Sequence, residues 1–280
     1  MIKDIGSTAR LNESGIIIND SDWEKVAVDY RPAIDEIVQT LIFRFSSGLH
    51  SVYLRGSLPR GLGIGGISDI DLLVVCESDA CHQEIQETVR GIERKFVSEY
   101  PFIDGIEAGI YDLEDIIDTS RFGIIPFMIK TYSIPLYGHN LQKILPGYYP
   151  DDKLANEHIF NLRDQVSMAL KDLDGNEDRE DVKDCCMWIM KIIIRCGMAL
   201  VMKKENTYTR DLYPAFKLFS KHYHLKEKEM KQALVYAITP SENTAELTSF
   251  LKDGFGKWVV KEAEEWLNEH NPERMSRMPL

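Results

Sequence analysis

The sequence predicts an α+β protein in which a mixed sheet with flanking helices is followed by a bundle of α-helices. In the first half, segments with apolar residues at helical spacing alternate with short runs typical of strands. A turn-rich break at Pro146–Pro150 ends this pattern, and the apolar spacing after it is helical throughout. We therefore predict two domains, 1–148 and 149–280, with a loose polar tail from about residue 270.

The elements of the first domain follow from their periodicity. Asp22–Phe45 has apolar residues at helical spacing and is predicted to cover the sheet as one amphipathic helix. Short apolar runs rich in β-branched and aromatic residues predict strands, with a further helix between the second and the third. The strands are His50–Arg55, Asp69–Val75 and Ile106–Tyr111, and the helix is Gln83–Glu99. Two weaker apolar segments, Ile124–Lys130 and Ile134–Tyr137, lie near the end of the domain.

The second domain has only helical patterns. The predicted helices are Leu154–Leu173, Asp181–Lys203, Arg210–Tyr223, Lys226–Ala237 and Thr244–Leu267. An interruption is expected at Gly254–Gly256, because glycine is unfavourable inside a helix. The most apolar stretch, Cys185–Met202, contains Lys191 and Arg195, so it falls short of the roughly 18 uncharged residues that span a bilayer.

The charge balance narrows the class of partner. The formal net charge is −12 and the isoelectric point is about 5.1. Nucleic acid is therefore not expected as a partner, since it is bound through basic surfaces, whereas a cationic small molecule suits an acidic protein. The N-terminal residues have no apolar run typical of a signal peptide, so we expect a cytoplasmic protein without a membrane partner. The sequence does not indicate an oligomeric state.

The segment that links the first two predicted strands has residue types suited to phosphate and metal chemistry. A strand ends at Arg55, and Gly56 and Ser57 follow, where a backbone can approach a phosphate closely. A glycine-rich turn then leads to Asp69 and Asp71, which are two residues apart in a strand and so leave the same face. Two such carboxylates repel each other unless a cation lies between them, and Mg²⁺ prefers oxygen ligands.

A third carboxylate, Glu107, lies in an otherwise uncharged predicted strand. If that strand pairs with Asp69–Val75, Glu107 lies near Asp69 and Asp71. Three carboxylates could hold one or two Mg²⁺ ions, which in two-metal sites clamp the attacking and leaving oxygens of phosphoryl transfer. Alternatively, Glu107 accepts the proton of an acceptor hydroxyl as a general base. A purely structural, exposed position for Glu107 also stays open.

This pattern resembles the nucleotidyltransferase superfamily that includes DNA polymerase beta. Its members have Gly-Ser, a short gap, Asp-x-Asp in a strand and a later carboxylate on a neighbouring strand. The matching residues are Gly56, Ser57, Asp69, Asp71 and Glu107. Arg60 and Gly61 fit the Gly-Ser-x-x-Arg-Gly form of bacterial members. The resemblance implies an enzyme that transfers a nucleoside monophosphate from a Mg²⁺-bound triphosphate, with Gly56, Ser57, Arg60 and Ser68 near the nucleotide.

A closer resemblance is to the bacterial aminoglycoside adenylyltransferases that modify streptomycin and spectinomycin. Ile106–Ala108 is similar to their Leu-Glu-Val strand, which supplies the catalytic base, and Leu136–Leu141 to the Tyr-Gly-x-x-Leu segment that closes their first domain. Their second domain is a helical bundle with an Arg and then a Lys-Asp element, to which Arg195 and Thr209–Asp211 are similar. Because the family's lysine contacts the triphosphate, Arg210 is the candidate for that role. The implied donor is ATP, and the implied acceptor is a hydroxyl of a small molecule such as an aminoglycoside.

Other interpretations stay open. Lys191 and Arg195 lie four residues apart on one helix face, and they either contact the triphosphate or form structural ion pairs. The same alternatives hold for Arg210. The superfamily also suggests an enzyme that modifies protein or RNA, as toxin and antitoxin members do, or a catalytically idle nucleotide-binding protein. Gly61–Gly66 matches G-x-G-x-x-G, but a strand rather than a helix follows it, so a dinucleotide site is excluded.

Overall fold

The computed structural model describes residues 4–78 and 81–280. Contacts divide the chain into two compact units. One is Ile16–Tyr148, and the other is Tyr149–Leu280 together with the segment that ends at Gly15. The predicted domain division after residue 148 stays a prediction.

Hydrogen bonds explain why the N-terminal segment groups with the second unit. The amide of Ala9 donates to the carbonyl of Tyr208 over 2.7 Å. The hydroxyl of Thr209 donates to the carbonyl of Ser7 over 2.8 Å, and the amide of Ser7 donates to a carboxylate oxygen of Asp211 over 2.9 Å. These partners are about two hundred residues apart in the chain, so helical or strand periodicity gives no sign of them.

A mixed sheet forms the centre of the first unit. Its strands are β1 (Leu49–Arg55), β2 (Ile70–Cys76), β3 (Ile106–Asp112) and β4 (Ser133–Gly138). Their spatial order is β3-β2-β1-β4, in which β1 pairs antiparallel with β2 and β4, while β2 and β3 are parallel. The three strands predicted for the middle of the domain are confirmed, and one of the weaker apolar segments forms β4.

Two long helices cover one face of the sheet. They are α1 (Arg31–Phe45) and α2 (His82–Glu99), and shorter helices follow at α3 (Leu113–Ile117) and α4 (Ile124–Tyr132). The core between helices and sheet contains alternate residues of the strands, namely Val52 and Leu54 of β1, Ile70, Leu72, Val74 and Cys76 of β2, and Ile106 of β3. Because side chains alternate along a strand, Arg55, Asp71 and Glu107 leave the sheet on the opposite face.

The predicted helix over Asp22–Phe45 is wrong in its first part. Two 3₁₀ turns, Trp23–Lys25 and Val28–Tyr30, occupy this region, and α1 begins only at Arg31. Pro32 lies in the first turn of α1. Proline lacks an amide proton, so it is tolerated in the first turn of a helix but not in its interior, and a helix starts at this point rather than passing through it.

The second unit is a helical bundle, as predicted. Its helices are α5 (Asp152–Ile159), α6 (Leu162–Leu173), α7 (Arg179–Glu205), α8 (Leu212–His222), α9 (Glu227–Ile238), α10 (Thr244–Lys252) and α11 (Phe255–His270). The interruption expected at Gly254–Gly256 is confirmed, since α10 ends at Lys252 and α11 begins at Phe255. The single helix predicted over Leu154–Leu173 is wrong: α5 ends at Ile159, and a second helix, α6, begins at Leu162.

Helix α7 is the centre of this bundle and contacts α5, α6, α8, α9 and α11. Among the helices of the described residues, it is the one whose length and composition would allow it to cross a membrane. However, 61% of its apolar window is buried inside the structure. Its apolar character therefore matches its role as the core helix, on which the other helices pack.

The polar tail starts with an anchored residue. Asn271 is buried, and its side-chain amide donates to Asn156 over 2.8 Å and to the carbonyl of Met275 over 2.8 Å. In turn, the amide of Met275 donates to the side chain of Asn271 over 3.0 Å. These bonds attach the beginning of the tail to α5.

Candidate active site

Strand pairing brings three charged side chains into one row on the face opposite α1 and α2. Arg55 pairs with Asp71 across β1 and β2, and Asp71 pairs with Glu107 across β2 and β3. Nη2 of Arg55 lies 3.2 Å from Oδ1 of Asp71 and 2.9 Å from Oε1 of Glu107. One guanidinium therefore bridges two of the three predicted catalytic carboxylates.

The three residues differ in their access to solvent. The side chains of Arg55 and Asp71 are 15% and 18% exposed, whereas that of Glu107 is 66% exposed. A molecule that arrives from solvent can therefore meet Glu107 directly. Asp71 is less accessible to such a molecule than Glu107 is.

Burial is the main perturbation of Asp71. Together with the charges of Glu107 and Asp69 it raises the pKa of Asp71 to about 7, although Arg55 opposes this shift. The guanidinium of Arg55 thus compensates only part of the combined cost of desolvation and carboxylate repulsion.

The position of the Asp71 side chain requires a glycine at residue 56. Gly56 has a left-handed backbone, with φ of +84°, and a Cβ atom built on it would lie 2.0 Å from Oδ2 of Asp71. Any side chain at this position would displace the carboxylate. The expected approach of the Gly56–Ser57 backbone to a phosphate stays a prediction. The structure shows a second reason why this position needs glycine, which is that the absence of a side chain makes room for Asp71.

Asp69 and Ser68 lie just before β2. A Cβ atom built on Gly105 would lie 3.1 Å from Oδ1 of Asp69, so this carboxylate packs closely against the start of the neighbouring strand. The hydroxyl of Ser68 accepts a hydrogen bond from the amide of Ile64 over 2.9 Å and is largely buried. Ser68 therefore closes the glycine-rich turn that leads into β2, and its predicted contact with nucleotide stays a prediction.

The carboxylates of this site are the kind of ligand that a hard divalent cation prefers, but they are not arranged as a preformed metal site. Across residues 4–78 and 81–280, no group of three or more His, Cys, Asp or Glu side chains is arranged to hold a metal ion. Arg55 lies between Asp71 and Glu107, and it bonds to the oxygens that would serve as ligands. The carboxylate oxygens nonetheless are the donors that Mg²⁺ prefers, so the predicted metal stays a proposal.

Arg60 makes structural contacts within its own unit. Its side chain is 8% exposed, its Nε lies 3.8 Å from a carboxylate oxygen of Asp20, and its guanidinium lies 5.3 Å from the ring centroid of Tyr132. A cation over an aromatic ring and near a carboxylate is well satisfied. Its predicted role at the nucleotide stays a prediction.

Arg195 and Arg210, two of the basic residues predicted to bind nucleotide, lie near a stacked pair of rings. Nε2 of His158 lies 3.1 Å from the hydroxyl of Tyr208, and the ring centroids are 5.7 Å apart. Burial, together with the charges of Arg210 and Arg195, lowers the pKa of His158 to about 3. Arg210 is also hydrogen-bonded to the hydroxyl of Tyr208. Lys191 lies one turn before Arg195 on α7.

The structure therefore assembles the predicted residues into two separate groups. Asp69, Asp71, Glu107, Gly56, Ser57, Arg60 and Ser68 belong to Ile16–Tyr148, and Lys191, Arg195 and Arg210 belong to the other unit. Contact of either group with a nucleotide stays a prediction.

Sequence reasoning missed two residues beside the carboxylates. Arg55 was seen only as the end of a strand, although a lone charge closing an apolar strand beside a Gly-Ser turn is a usable signal. The other is Tyr111, whose ring folds over Gly109 on the face of Glu107: a Cβ atom built on Gly109 would lie 2.6 Å from the Tyr111 hydroxyl. Burial raises the pKa of Tyr111, Arg55 opposes this and Glu107 adds to it, so all three side chains share one electrostatic environment.

No family model and no curated protein matches the chain. Among solved structures, the chain is similar to spectinomycin adenyltransferase AAD(9) from Enterococcus faecialis, whose structure was determined with ATP and spectinomycin. The two share 17% sequence identity over 84% of this chain and 99% of that chain, with a TM-score of 0.49.

Proposed function

We propose that the chain is a Mg²⁺-dependent nucleotidyltransferase that transfers AMP from ATP to a hydroxyl group of a small-molecule acceptor. The proposal depends mainly on Asp71 and Glu107, which lie opposite each other on adjacent strands. Gly56 turns the chain beside Asp71, and Asp69 lies two residues before Asp71 in the sequence. Phosphoryl transfer needs oxygen ligands for a hard cation and a group that accepts a proton. This row provides both kinds of group on one face of a rigid sheet.

Each residue has a distinct proposed role. The acceptor oxygen attacks the α-phosphorus of ATP, the bond from that phosphorus to the oxygen bridging to the β-phosphate breaks, and pyrophosphate leaves. Glu107 accepts the proton of the acceptor hydroxyl, because its 66% exposure gives it access to an incoming molecule. Asp69 and Asp71 are the proposed holders of Mg²⁺, with Glu107 as a further ligand. Bound Mg²⁺ supplies positive charge that neutralises the triphosphate and the leaving pyrophosphate.

The cations of the helical unit are proposed to contribute to nucleotide binding. Arg195 and Arg210 share the buried His158–Tyr208 pair, so the pair holds two positive charges close together. We expect Arg210→Gln to raise the KM for ATP by roughly tenfold, the size of one lost charge-assisted hydrogen bond, with a smaller effect on kcat. Lys261→Gln serves as the matched control, since Lys261 is exposed on α11 and pairs with Glu265 one turn away. An unchanged KM in Arg210→Gln would assign Arg210 to a structural role.

The test of the function is transfer of label from α-labelled ATP in the presence of Mg²⁺. The acceptors are a panel of aminoglycosides, chosen because the protein is acidic and these molecules are cationic. The double variant Asp69→Asn/Asp71→Asn is the inactive control, and Asp35→Asn, at an exposed position on α1, controls for the loss of charge. The proposal predicts labelled acceptor with the wild type and with Asp35→Asn, but not with the double variant.

Other results would redirect the proposal. Label on the protein itself, or on a component of added lysate, would make the acceptor a macromolecule while keeping the transfer chemistry. Bound ATP without any label on an acceptor would indicate a nucleotide-binding protein without transferase activity. Because ATP is an intracellular donor, the proposed reaction also agrees with the cytoplasmic location expected from the sequence.

A further inference from the structure

Arg55 is placed at the carboxylates by the backbone rather than by its own flexibility. It is the last residue of β1, and strand pairing sets it opposite Asp71. The next residue, Gly56, turns the chain away with a positive φ. With 15% of its side chain exposed, Arg55 is largely enclosed, and both of its ion pairs are within hydrogen-bond distance.

The contacts of Arg55 are those that a metal ion would make. Its Nη2 group meets Oδ1 of Asp71 and Oε1 of Glu107. A Mg²⁺ or Mn²⁺ ion bound by these oxygens would lie at roughly 2 Å from them, in the direction of the same lone pairs. The guanidinium and the ion also repel each other, because both are positive. Both cannot bind the two oxygens in this geometry.

The guanidinium suits a temporary counter-ion. Arginine stays protonated in any protein environment and can bridge two carboxylates through its planar group. Without it, Asp71 and Glu107 would face each other on adjacent strands with no cation between them, which is costly for partly buried charges. A guanidinium nevertheless has one positive charge, and a divalent cation that binds the same oxygens has two.

We propose that Arg55 is a positioning residue that serves as an internal counter-ion: it holds Asp71 and Glu107 together without metal and competes with the divalent cation for their oxygens. The inference depends on the proposed function, because it takes Asp71 and Glu107 as metal ligands. The inference makes Arg55 a determinant of metal affinity and fixes the direction of its effect. Removal of Arg55 strengthens metal binding and weakens the metal-free fold.

The experiment is a titration of the full-length protein with Mn²⁺ alone, in which free Mn²⁺ is measured by electron paramagnetic resonance. The variants are Arg55→Gln, which removes the charge, and Arg55→Lys, which keeps it. Arg90→Gln is the control, since it removes an exposed positive charge from α2 of the same unit. We expect Arg55→Gln to bind Mn²⁺ on the order of tenfold more tightly than the wild type, as follows from removing a charge-assisted competitor. Arg55→Lys should lie between them, and Arg90→Gln should match the wild type.

Thermal unfolding gives an independent readout. Metal-free Arg55→Gln should melt below the wild type, and saturating Mn²⁺ should raise its melting temperature by more than that of the wild type. Weaker or unchanged Mn²⁺ binding by Arg55→Gln would overturn the inference and leave the metal site intact. If neither the wild type nor Arg55→Gln binds Mn²⁺, the proposed metal site itself fails, and this inference fails with it.

Discussion

Replacement of Asp71 by asparagine should stabilise the metal-free protein, although it should abolish the proposed activity. Burial, Glu107 and Asp69 raise the pKa of Asp71 to about 7 from its ordinary value of 3.8, despite the opposing charge of Arg55. The ionised carboxylate is therefore less favourable in the folded protein than in the unfolded chain. Asparagine has nearly the same shape and carries no charge, so it removes this cost.

The sign of the pH dependence follows from the direction of the shift. Between pH 3.8 and about 7, the folded protein retains a proton on Asp71 that the unfolded chain has lost. The contribution of Asp71 to the stability of the wild type therefore falls as pH rises through this window and is constant above it. At about 1.4 kcal/mol per pH unit, the upper bound is about 4 kcal/mol at pH 8. The gain of Asp71→Asn at pH 5 should be less than half of its gain at pH 8.

The assay is urea unfolding followed by circular dichroism at pH 5 and pH 8, with chelator present to remove divalent cations. Asp35→Asn, exposed on α1, controls for the removal of one carboxylate and should change little at either pH. Addition of Mn²⁺ should stabilise the wild type at pH 8 and leave Asp71→Asn unchanged. The reasoning is refuted if Asp71→Asn is less stable than the wild type at pH 8, or if the two proteins have the same pH dependence.

Three further predictions concern single residues. Gly56→Ala should lose more than about 2 kcal/mol in urea unfolding, because it adds a contact of 2.0 Å with Asp71 to the cost of a positive φ. Gly66→Ala is its matched control, with φ of +75° and nothing within 4 Å of the added Cβ, and it should lose only about 1 kcal/mol; equal losses would exclude the clash. His158 should contribute a loss of about 2 kcal/mol to wild-type stability from pH 6.5 to pH 5, against the opposing contribution of Asp71, because its pKa of about 3 in the folded protein lets only the unfolded chain take up a proton there. The stability of His158→Gln relative to the wild type should therefore rise by this amount over the same range, and a difference that does not change with pH would contradict the assignment. Tyr208→Phe should cost about 1 to 3 kcal/mol, since it leaves His158 and Arg210 without a shared hydroxyl, whereas Tyr149→Phe, at an exposed ring, should cost little.

The predictions that succeeded depend on local pattern. The runs around Val52, Leu72 and Ile106 gave strands whose observed ends differ by at most one residue from the expected ends. The glycine-flanked break between α10 and α11 was also predicted, because glycine disfavours a helix wherever it lies. The shared face of Asp69 and Asp71 stays a prediction, since β2 begins only at Ile70.

The predictions that failed concern competing local signals. The apolar spacing of Asp22–Phe45 is helical, but Pro32 defines a helix start within it. Similarly, the spacing of Leu154–Leu173 continues across Asn161, where one helix ends and another begins. In both cases the apolar periodicity continues across a helix boundary, and only at Pro32 does a residue that restricts the backbone explain that boundary.

The sequence by itself determined which residues have the chemistry: the Gly56–Ser57 turn, the pair Asp69 and Asp71, and Glu107 on a later strand. Only the tertiary structure decided which of them meet. The order β3-β2-β1 sets Arg55, Asp71 and Glu107 in one row, although Glu107 lies far along the chain from Arg55. Strand order and register depend on how the whole apolar face packs under α1 and α2, and no local window contains that information. For the same physical reason, the raised pKa of Asp71 and the bridging role of Arg55 belong to the folded protein alone.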